Sequence, residues 1–341
     1  MAYDSFLSKL PNNKNQECMI TFFHRNIDAG YSINKVTQTF VRNIPDKEEF
    51  YVPCRRASLV NVVKNIWFVF RHRNKKGINH ITGDIHYCIL GLIGCKTVLT
   101  IHDTVALHFA SGSKFKKKLE EWLWFTLPLR MATKVVCISE ETKRLVQPFT
   151  NRKDLIVIHN AVDPGIKTSL KDYDITPYNI LHIGTKPNKN LERTVQALVG
   201  IPCRLTVVGN PSQRQLDLIK KSGIEYCVKS GLTDEEIIKE YEACDVVTFI
   251  SLFEGFGMPI IEANKVGRPV ITSTIPVVKE VAADSAVFVD PYDEGKIREG
   301  FLALFSDSKL RKVCVEKGLE NVKRFEHESI TENYLNLYRA L

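Results

Sequence analysis

Ser251-Leu252-Phe253-Glu254-Gly255-Phe256-Gly257-Met258-Pro259-Ile260-Ile261-Glu262-Ala263-Asn264-Lys265-Val266-Gly267-Arg268-Pro269-Val270-Ile271 decides the reading of this chain. The apolar run Val246 to Ile250 leads into it as a strand. A glycine turn follows, then a helix that accepts Pro259 at its first position, where a missing N–H costs nothing. Gly267 ends that helix, and Pro269 to Thr272 reads as the next strand. A strand, a glycine turn and a free helix N-terminus together make a site for an anion, because backbone N–H groups can approach it closely. Glu262 is expected in the first helical turn. A carboxylate there is either a dipole partner of the helix or, if the anion belongs to a nucleotide, an acceptor for both ribose hydroxyls.

The 341 residues are enough for two domains of roughly 100–200 residues each. No stretch offers the about 20 apolar residues that a bilayer span needs. The nearest, Leu59 to Phe70, is broken by Lys64. Met1 to Leu10 carries Asp4 and lacks an apolar core, so no signal peptide is expected. Nine cysteines without a Cys-x-x-Cys pair suggest buried thiols in a reducing compartment, not a disulfide frame or a zinc site. The expected location is the cytoplasm. A net charge of +8 favours anionic partners such as nucleotides or lipid head groups. Nucleic acid is disfavoured, since no helix-turn-helix, RRM or zinc-finger pattern appears.

Strand and helix patterns alternate along both halves. The first half has strands at 18–23, around Val52, and at 78–82, 96–101, 134–138 and 155–158. Its helices are expected at 31–41, 59–73 and 114–131, with another capped by Ser139. Asn160 to Pro177 is polar and reads as a linker. The second half repeats the pattern, with strands at 179–184, 204–209, 226–228, 245–251, 270–273 and 286–289. Thr233 to Glu236 forms a capping box. Strands separated by helices imply parallel sheets with right-handed crossovers. The fold class is therefore α/β, with two Rossmann-like domains facing a cleft, residues 1–165 and 178–327, and a terminal segment, 328–341. Ligands of such sheets bind beyond the carboxyl ends of the strands.

Three strand ends carry residues suited to chemistry. Gly184-Thr185-Lys186-Pro187-Asn188-Lys189-Asn190-Leu191 follows the first strand of the second half. Lys186 and Lys189 there can neutralise a diphosphate, whose charge grows as it leaves, or they form a solvated loop. His102, in Thr100-Ile101-His102-Asp103-Thr104, ends a first-half strand at the cleft, as a hydrogen-bonding group or as a structural histidine. Asp28-Ala29-Gly30-Tyr31-Ser32 is a weaker turn with one glycine. Asp172-Tyr173-Asp174 lies in the linker and reads as a solvated loop, so no metal site is expected. Lys114 to Phe125 and Arg55 to Lys76 mix basic and aromatic residues. They suit either an anionic membrane surface, as for a peripheral membrane protein, or a core stripe with a solvated lysine face; Phe115, Leu119 and Trp122 share a stripe and Trp124 falls off it.

Glu254 and Glu262, with seven residues between them and set in Phe253-Glu254-Gly255-Phe256-Gly257-Met258-Pro259, resemble the signature of the retaining glycosyltransferases of family 4 (group 1). Lys189-Asn190-Leu191 is similar to that family's lysine segment. The chain departs from it at Thr185 and Asn188, where many members carry arginine, and a lysine at 186 lacks the bidentate fork of a guanidinium. The resemblance implies the GT-B architecture, with an N-terminal acceptor domain, a C-terminal nucleotide-sugar domain and a last helix crossing back to the first. It implies transfer of a sugar, with its anomeric configuration kept, from a UDP- or GDP-sugar to a hydroxyl of a glycan or lipid-linked acceptor in polysaccharide or glycoconjugate synthesis, without a cofactor or a metal. Glu254, Lys189 and His102 are then the catalytic candidates. Glu262, Gly255, Phe256, Gly257, Met258, Lys186, Asn188, Thr185, Gly184 and Gly231 are the donor-binding ones. A nucleotide-sugar 2-epimerase, which also has two facing Rossmann-like domains, and a non-catalytic nucleotide-binding module are the competing expectations.

Overall fold

The structure is a computed structural model that describes residues 19–29, 31–104, 114–171 and 177–341. Its strands form two sheets. The first holds β1 (Ile20–His24), β2 (Lys47–Tyr51), β3 (Ile78–Ile81), β4 (Lys96–Ile101), β5 (Lys134–Cys137) and β6 (Ile156–Val157), in the order β2-β1-β3-β4-β5-β6. The second holds β7 (Tyr178–Ile183), β8 (Cys203–Val208), β9 (Glu225–Lys229), β10 (Val246–Phe249), β11 (Val270–Ser273) and β12 (Ala286–Val289), in the order β12-β11-β10-β7-β8-β9. Every pairing is parallel. Central strands such as β1 and β10 are buried along their whole length, which is why they read as largely apolar rather than alternating.

The α-helices of the described residues run α1 (Tyr31–Val41), α2 (Leu59–His72), α3 (Lys114–Glu121), α4 (Leu127–Met131), α5 (Glu140–Val146), α6 (Leu191–Leu198), α7 (Gln213–Ser222), α8 (Asp234–Ala243), α9 (Met258–Val266), α10 (Pro276–Ala282), α11 (Glu294–Ser306), α12 (Ser308–Asn321) and α13 (His327–Arg339). They cover both faces of each sheet and give two Rossmann-like α/β domains with a cleft between them. The domains are joined across that cleft by an apolar cluster in which Ile138 and Val162 meet Phe256 and Phe325. Helix α13 lies against the first sheet: Tyr334 stacks on Phe40 at 4.0 Å and Tyr338 Oη lies 2.6 Å from His80 Nδ1.

Several local expectations are corrected. The helix expected over 114–131 is interrupted by a π-turn at Trp122–Thr126, where the Leu127 N–H donates to Trp122 O. Pro128 cannot donate to Trp124 O, so an unbroken α-helix is impossible there. His86 Nδ1, 2.9 Å away, donates to that carbonyl instead. The turn also reverses the inferred stripe. Leu119 and Trp122 are exposed, whereas Trp124 packs on Tyr87 at 4.7 Å and donates Nε1–H to Asp84 O at 3.1 Å. Helix α9 begins at Met258 with Gly257 as its N-cap, so Pro259 is its second residue and Glu262 lies beyond the first turn. The strand expected around Val52 lies just before it, at β2. Gly30 and the Asp172-Tyr173-Asp174 segment lie outside the described residues.

Candidate functional site

The order of the second sheet reverses between β7 and β10, which pair directly with Ile180 opposite Val246. In open parallel sheets ligands bind in the crevice beyond the carboxyl ends of the strands at such a reversal. The two glycine-bearing segments singled out from sequence leave from these two strands. Between them, Leu252 N donates to Asn188 O at 2.8 Å. Asn188 Nδ2 donates to Phe253 O at 3.0 Å and reaches Glu254 Oε1 at 3.2 Å. Lys189 Nζ lies 2.6 Å from the same Glu254 oxygen and 4.7 Å from the centre of the Phe249 ring. Both charges are largely buried, so each depends on the other for compensation.

The turn after β7 is shaped for this contact. Asn190 takes a left-handed conformation (φ 60°) as N-cap of α6, is anchored by Nδ2 to Pro291 O at 2.7 Å, and aims the preceding lysine across the crevice. The aliphatic stem of Lys189 lies over Gly184, where a Cβ would stand 2.9 Å from Lys189 Cγ. Thr185 donates its hydroxyl to Asn210 O at 2.9 Å, and Gln215 Nε2 donates to Thr185 O at 3.0 Å, so this residue ties the turn to the one after β8. Lys186 is exposed and makes no ion pair among the described residues. Below Lys189, His182 is buried, and burial together with the lysine charge pushes its pKa down to about 4, leaving it neutral.

The segment after β10 is gripped from the first domain. A Cβ at Gly255 would lie 2.4 Å from His102 O and 2.9 Å from Asp103 Cβ, so only glycine allows this approach. Ser139 Oγ and Thr142 Oγ1 lie 3.2 and 3.3 Å from Gly255 O. Phe256 packs its side chain into the joint, edge-on to Phe325 at 5.7 Å. Gly257 caps α9 without any side-chain hydrogen bond, so the first N–H groups of that helix are not capped by a side chain. Met258 opens the helix and packs on the apolar cluster. Gly231 sits after the edge strand β9, also at positive φ, with nothing within 4 Å of where its Cβ would be.

His102 directly follows β4 and is buried; its Nε2–H donates to Thr82 O at 2.7 Å. A carbonyl can only accept, so in the neutral ring Nδ1 carries the lone pair. Burial pulls its pKa down, which favours that neutral form. Nearby, Arg25 follows β1, buried, with Nη1 3.7 Å from Asp84.

Glu262 stands on α9 in a different setting from Glu254. Tyr241 donates its hydroxyl to Glu262 Oε2 at 2.6 Å. Burial raises the Glu262 pKa, against the pull of that hydrogen bond and of the Lys35 charge. Lys35 comes from α1 of the first domain and pairs with Asp234 at 2.5 Å and Asp163 at 3.1 Å. Sequence reading missed Lys35, Asp163, Asp234 and Tyr241. Asp234 was read only as part of a capping box, Asp163 lies in the loop after β6, and the hydrophobic period of the helices that carry Lys35 and Tyr241 gives no sign of these contacts.

Two family models match the chain: "Glycosyl transferases group 1" over residues 176–321 and "Glycosyltransferase Family 4" over residues 41–165. The chain belongs to the group 1 glycosyltransferases. It is therefore a transferase with the GT-B architecture. An uncharacterized glycosyltransferase of Methanocaldococcus jannaschii is 23% identical to it over 94% of this chain and 90% of its own length. The O-antigen chain mannosyltransferase RfbU of Salmonella typhimurium is 26% identical over 70% of this chain and 69% of its own. Among solved structures, Anabaena HepE in complex with UDP and glucose superposes with a TM-score of 0.78 at 16% identity, over 95% of this group 1 glycosyltransferase and 100% of that chain.

Proposed function

We propose that this enzyme is a retaining glycosyltransferase that moves a sugar from a nucleotide-diphospho-sugar to a hydroxyl of a glycan or lipid-linked acceptor, in surface polysaccharide or glycoconjugate synthesis. The observation that carries the reading is the Lys189–Glu254 pair at the β7/β10 crevice, beside a helix N-terminus that no side chain caps. Lys189 and the α9 N–H groups bind the diphosphate, and Lys186 adds charge from the rim. Glu254 accepts hydrogen bonds from the sugar hydroxyls while holding Lys189 in place. Glu262 accepts from the ribose, with Tyr241 occupying its second oxygen. His102, fixed by its bond to Thr82 O, offers its Nδ1 acceptor toward the sugar or the incoming hydroxyl.

In the reaction, the bond from the anomeric carbon to the phosphate oxygen breaks as the acceptor oxygen bonds on the same face. The leaving diphosphate oxygen takes the acceptor proton. Fixed positive charge is worth most in this transition state, because the diphosphate becomes more negative as the bond opens. No metal is required on this reading, since Lys189 and the helix N-terminus supply the positive field.

A thermal-shift panel of UDP- and GDP-sugars, with glucose and mannose as the first sugars, identifies the donor, because a ligand of the folded state raises the melting point by mass action. The Salmonella and Anabaena relatives motivate those two sugars. With the donor known, Glu254→Ala abolishes acceptor-dependent release of nucleotide without unfolding the protein. Undiminished transfer by that variant would overturn these roles.

A further inference from the structure

Helix α2 carries two apolar faces where a globular fold needs one. Val62 and Val69 point inward and are buried. Leu59, Val63, Trp67 and Phe70 are 82, 65, 57 and 41% exposed. Their spacing of four, four and three residues sets them along one side of the helix. An aligned row of exposed apolar side chains, rather than scattered ones, marks an interaction surface.

The charges around this row are of one sign. From Phe50 to Gly83 the chain contains no aspartate or glutamate and seven cations: Arg55, Arg56, Lys64, Arg71, Arg73, Lys75 and Lys76. Two precede the helix and three follow it. Among the described residues, Arg55, Arg56, Lys64 and Lys75 have no ion-pair partner. Arg71 and Arg73 lie over the Trp67 and Phe70 rings, at 6.0 and 3.6 Å. Beyond the helix end, Arg71, His72, Arg73, Lys75 and Lys76 line an open cavity of about 510 Å³, in which Glu48 is the acid.

We propose that the outer face of α2 and the basic cavity at its C-terminal end dock this protein on an anionic phospholipid bilayer. The apolar row enters the boundary between head groups and acyl chains, with the helix lying in the membrane plane. The cations at both ends and the cavity receive lipid phosphates. No helix of the described residues is long and apolar enough to cross a membrane, so contact by this face is interfacial. A folded protein partner would also cover apolar side chains, but a surface with seven cations against the single acid Glu48 matches the continuous negative charge of a lipid surface better than the mixed charges of a protein. The proposal stands on this surface and not on the transfer reaction.

The test is co-sedimentation of the full chain with vesicles of phosphatidylcholine alone and of phosphatidylcholine mixed with phosphatidylglycerol, at low and high salt, without any sugar donor. The protein binds the mixed vesicles, does not bind the neutral ones, and is released as salt rises. Val63→Glu with Trp67→Glu, and separately Arg71→Glu with Lys75→Glu, each weaken binding at least about tenfold. These side chains are exposed, and circular dichroism verifies that the variants fold. The proposal is overturned if the natural protein ignores anionic vesicles, if it binds neutral ones equally, or if either double variant binds as tightly. It is also overturned if sedimentation velocity shows a dimer that disperses in the Val63→Glu, Trp67→Glu variant, since the face would then be occupied by a second copy.

Discussion

Lys189 Nζ and Glu254 Oε1 lie 2.6 Å apart and join the turn after β7 to the turn after β10. This pair spans the point at which the order of the second sheet reverses, and neither charge has another ion-pair partner among the described residues. Lys189→Ala is expected to lower kcat by about a hundredfold to a thousandfold, the usual loss for one group that stabilises a growing negative charge. Steady-state kinetics with the donor found by thermal shift checks this. A change in KM alone would assign Lys189 to ground-state binding.

Gly255 is expected to tolerate no side chain. Alanine there places a methyl group 2.4 Å from His102 O, a backbone atom that cannot rotate away. The second domain must then shift relative to the first. Gly255→Ala keeps its secondary structure but loses about a hundredfold in transfer, the effect of misplacing reacting groups by about 1 Å. Small-angle scattering should show a change in domain arrangement. Unchanged scattering together with full activity would show that this contact does not hold the domains in register.

Asn190 allows backbone and side-chain contributions to be separated. Its left-handed φ of 60° costs alanine about 1–2 kcal/mol, and its amide bond to Pro291 O is worth about 1 kcal/mol. Asn190→Gly therefore destabilises by about 1 kcal/mol and Asn190→Ala by about 2–3 kcal/mol, as measured by urea denaturation. Equal losses in the two variants would mean that backbone strain plays no part.

Acid should destabilise the fold through two buried histidines. Burial holds both His86 and His182 at a pKa of about 4, against about 6.5 for an exposed histidine. Between these values the unfolded chain binds protons that the folded one does not, so stability falls as pH drops from 6.5 toward 4. A shift of this size corresponds to roughly 3 kcal/mol for each histidine. Urea midpoints followed from pH 7 to about pH 4 should fall less steeply for His182→Gln than for the natural protein. Parallel curves would refute the assignment for His182.

What could be read without coordinates was local. The elements flanking Glu254 and Lys189 follow from hydrophobic period, from glycines and prolines at element ends, and from capping residues such as Ser139 and Thr233, all of which act over a few neighbouring residues. The boundaries of β4, β11 and β12 follow from the same signals. What could not be read depended on distant partners. The π-turn at 122–126 needs His86 to satisfy a carbonyl that Pro128 cannot reach, and that turn decides that Trp124, not Trp122, faces inward. The segment Arg55 to Lys76 could be read either as a membrane-facing surface or as a core stripe, because an exposed apolar row and a core row have the same period, and only the fold shows which side chains face outward.

The sequence by itself determined two Rossmann-like units and the residues at the ends of β7 and β10, because strand, turn and helix propensities are local. Tertiary structure alone decided that Gly255 meets His102, that Lys35 reaches Asp163 and Asp234 beside Glu262, and that Lys189 pairs with Glu254. These contacts join segments up to about two hundred residues apart in the chain. They arise from the packing of one domain against the other and of one strand against its non-sequential neighbour, which no local pattern of residues specifies.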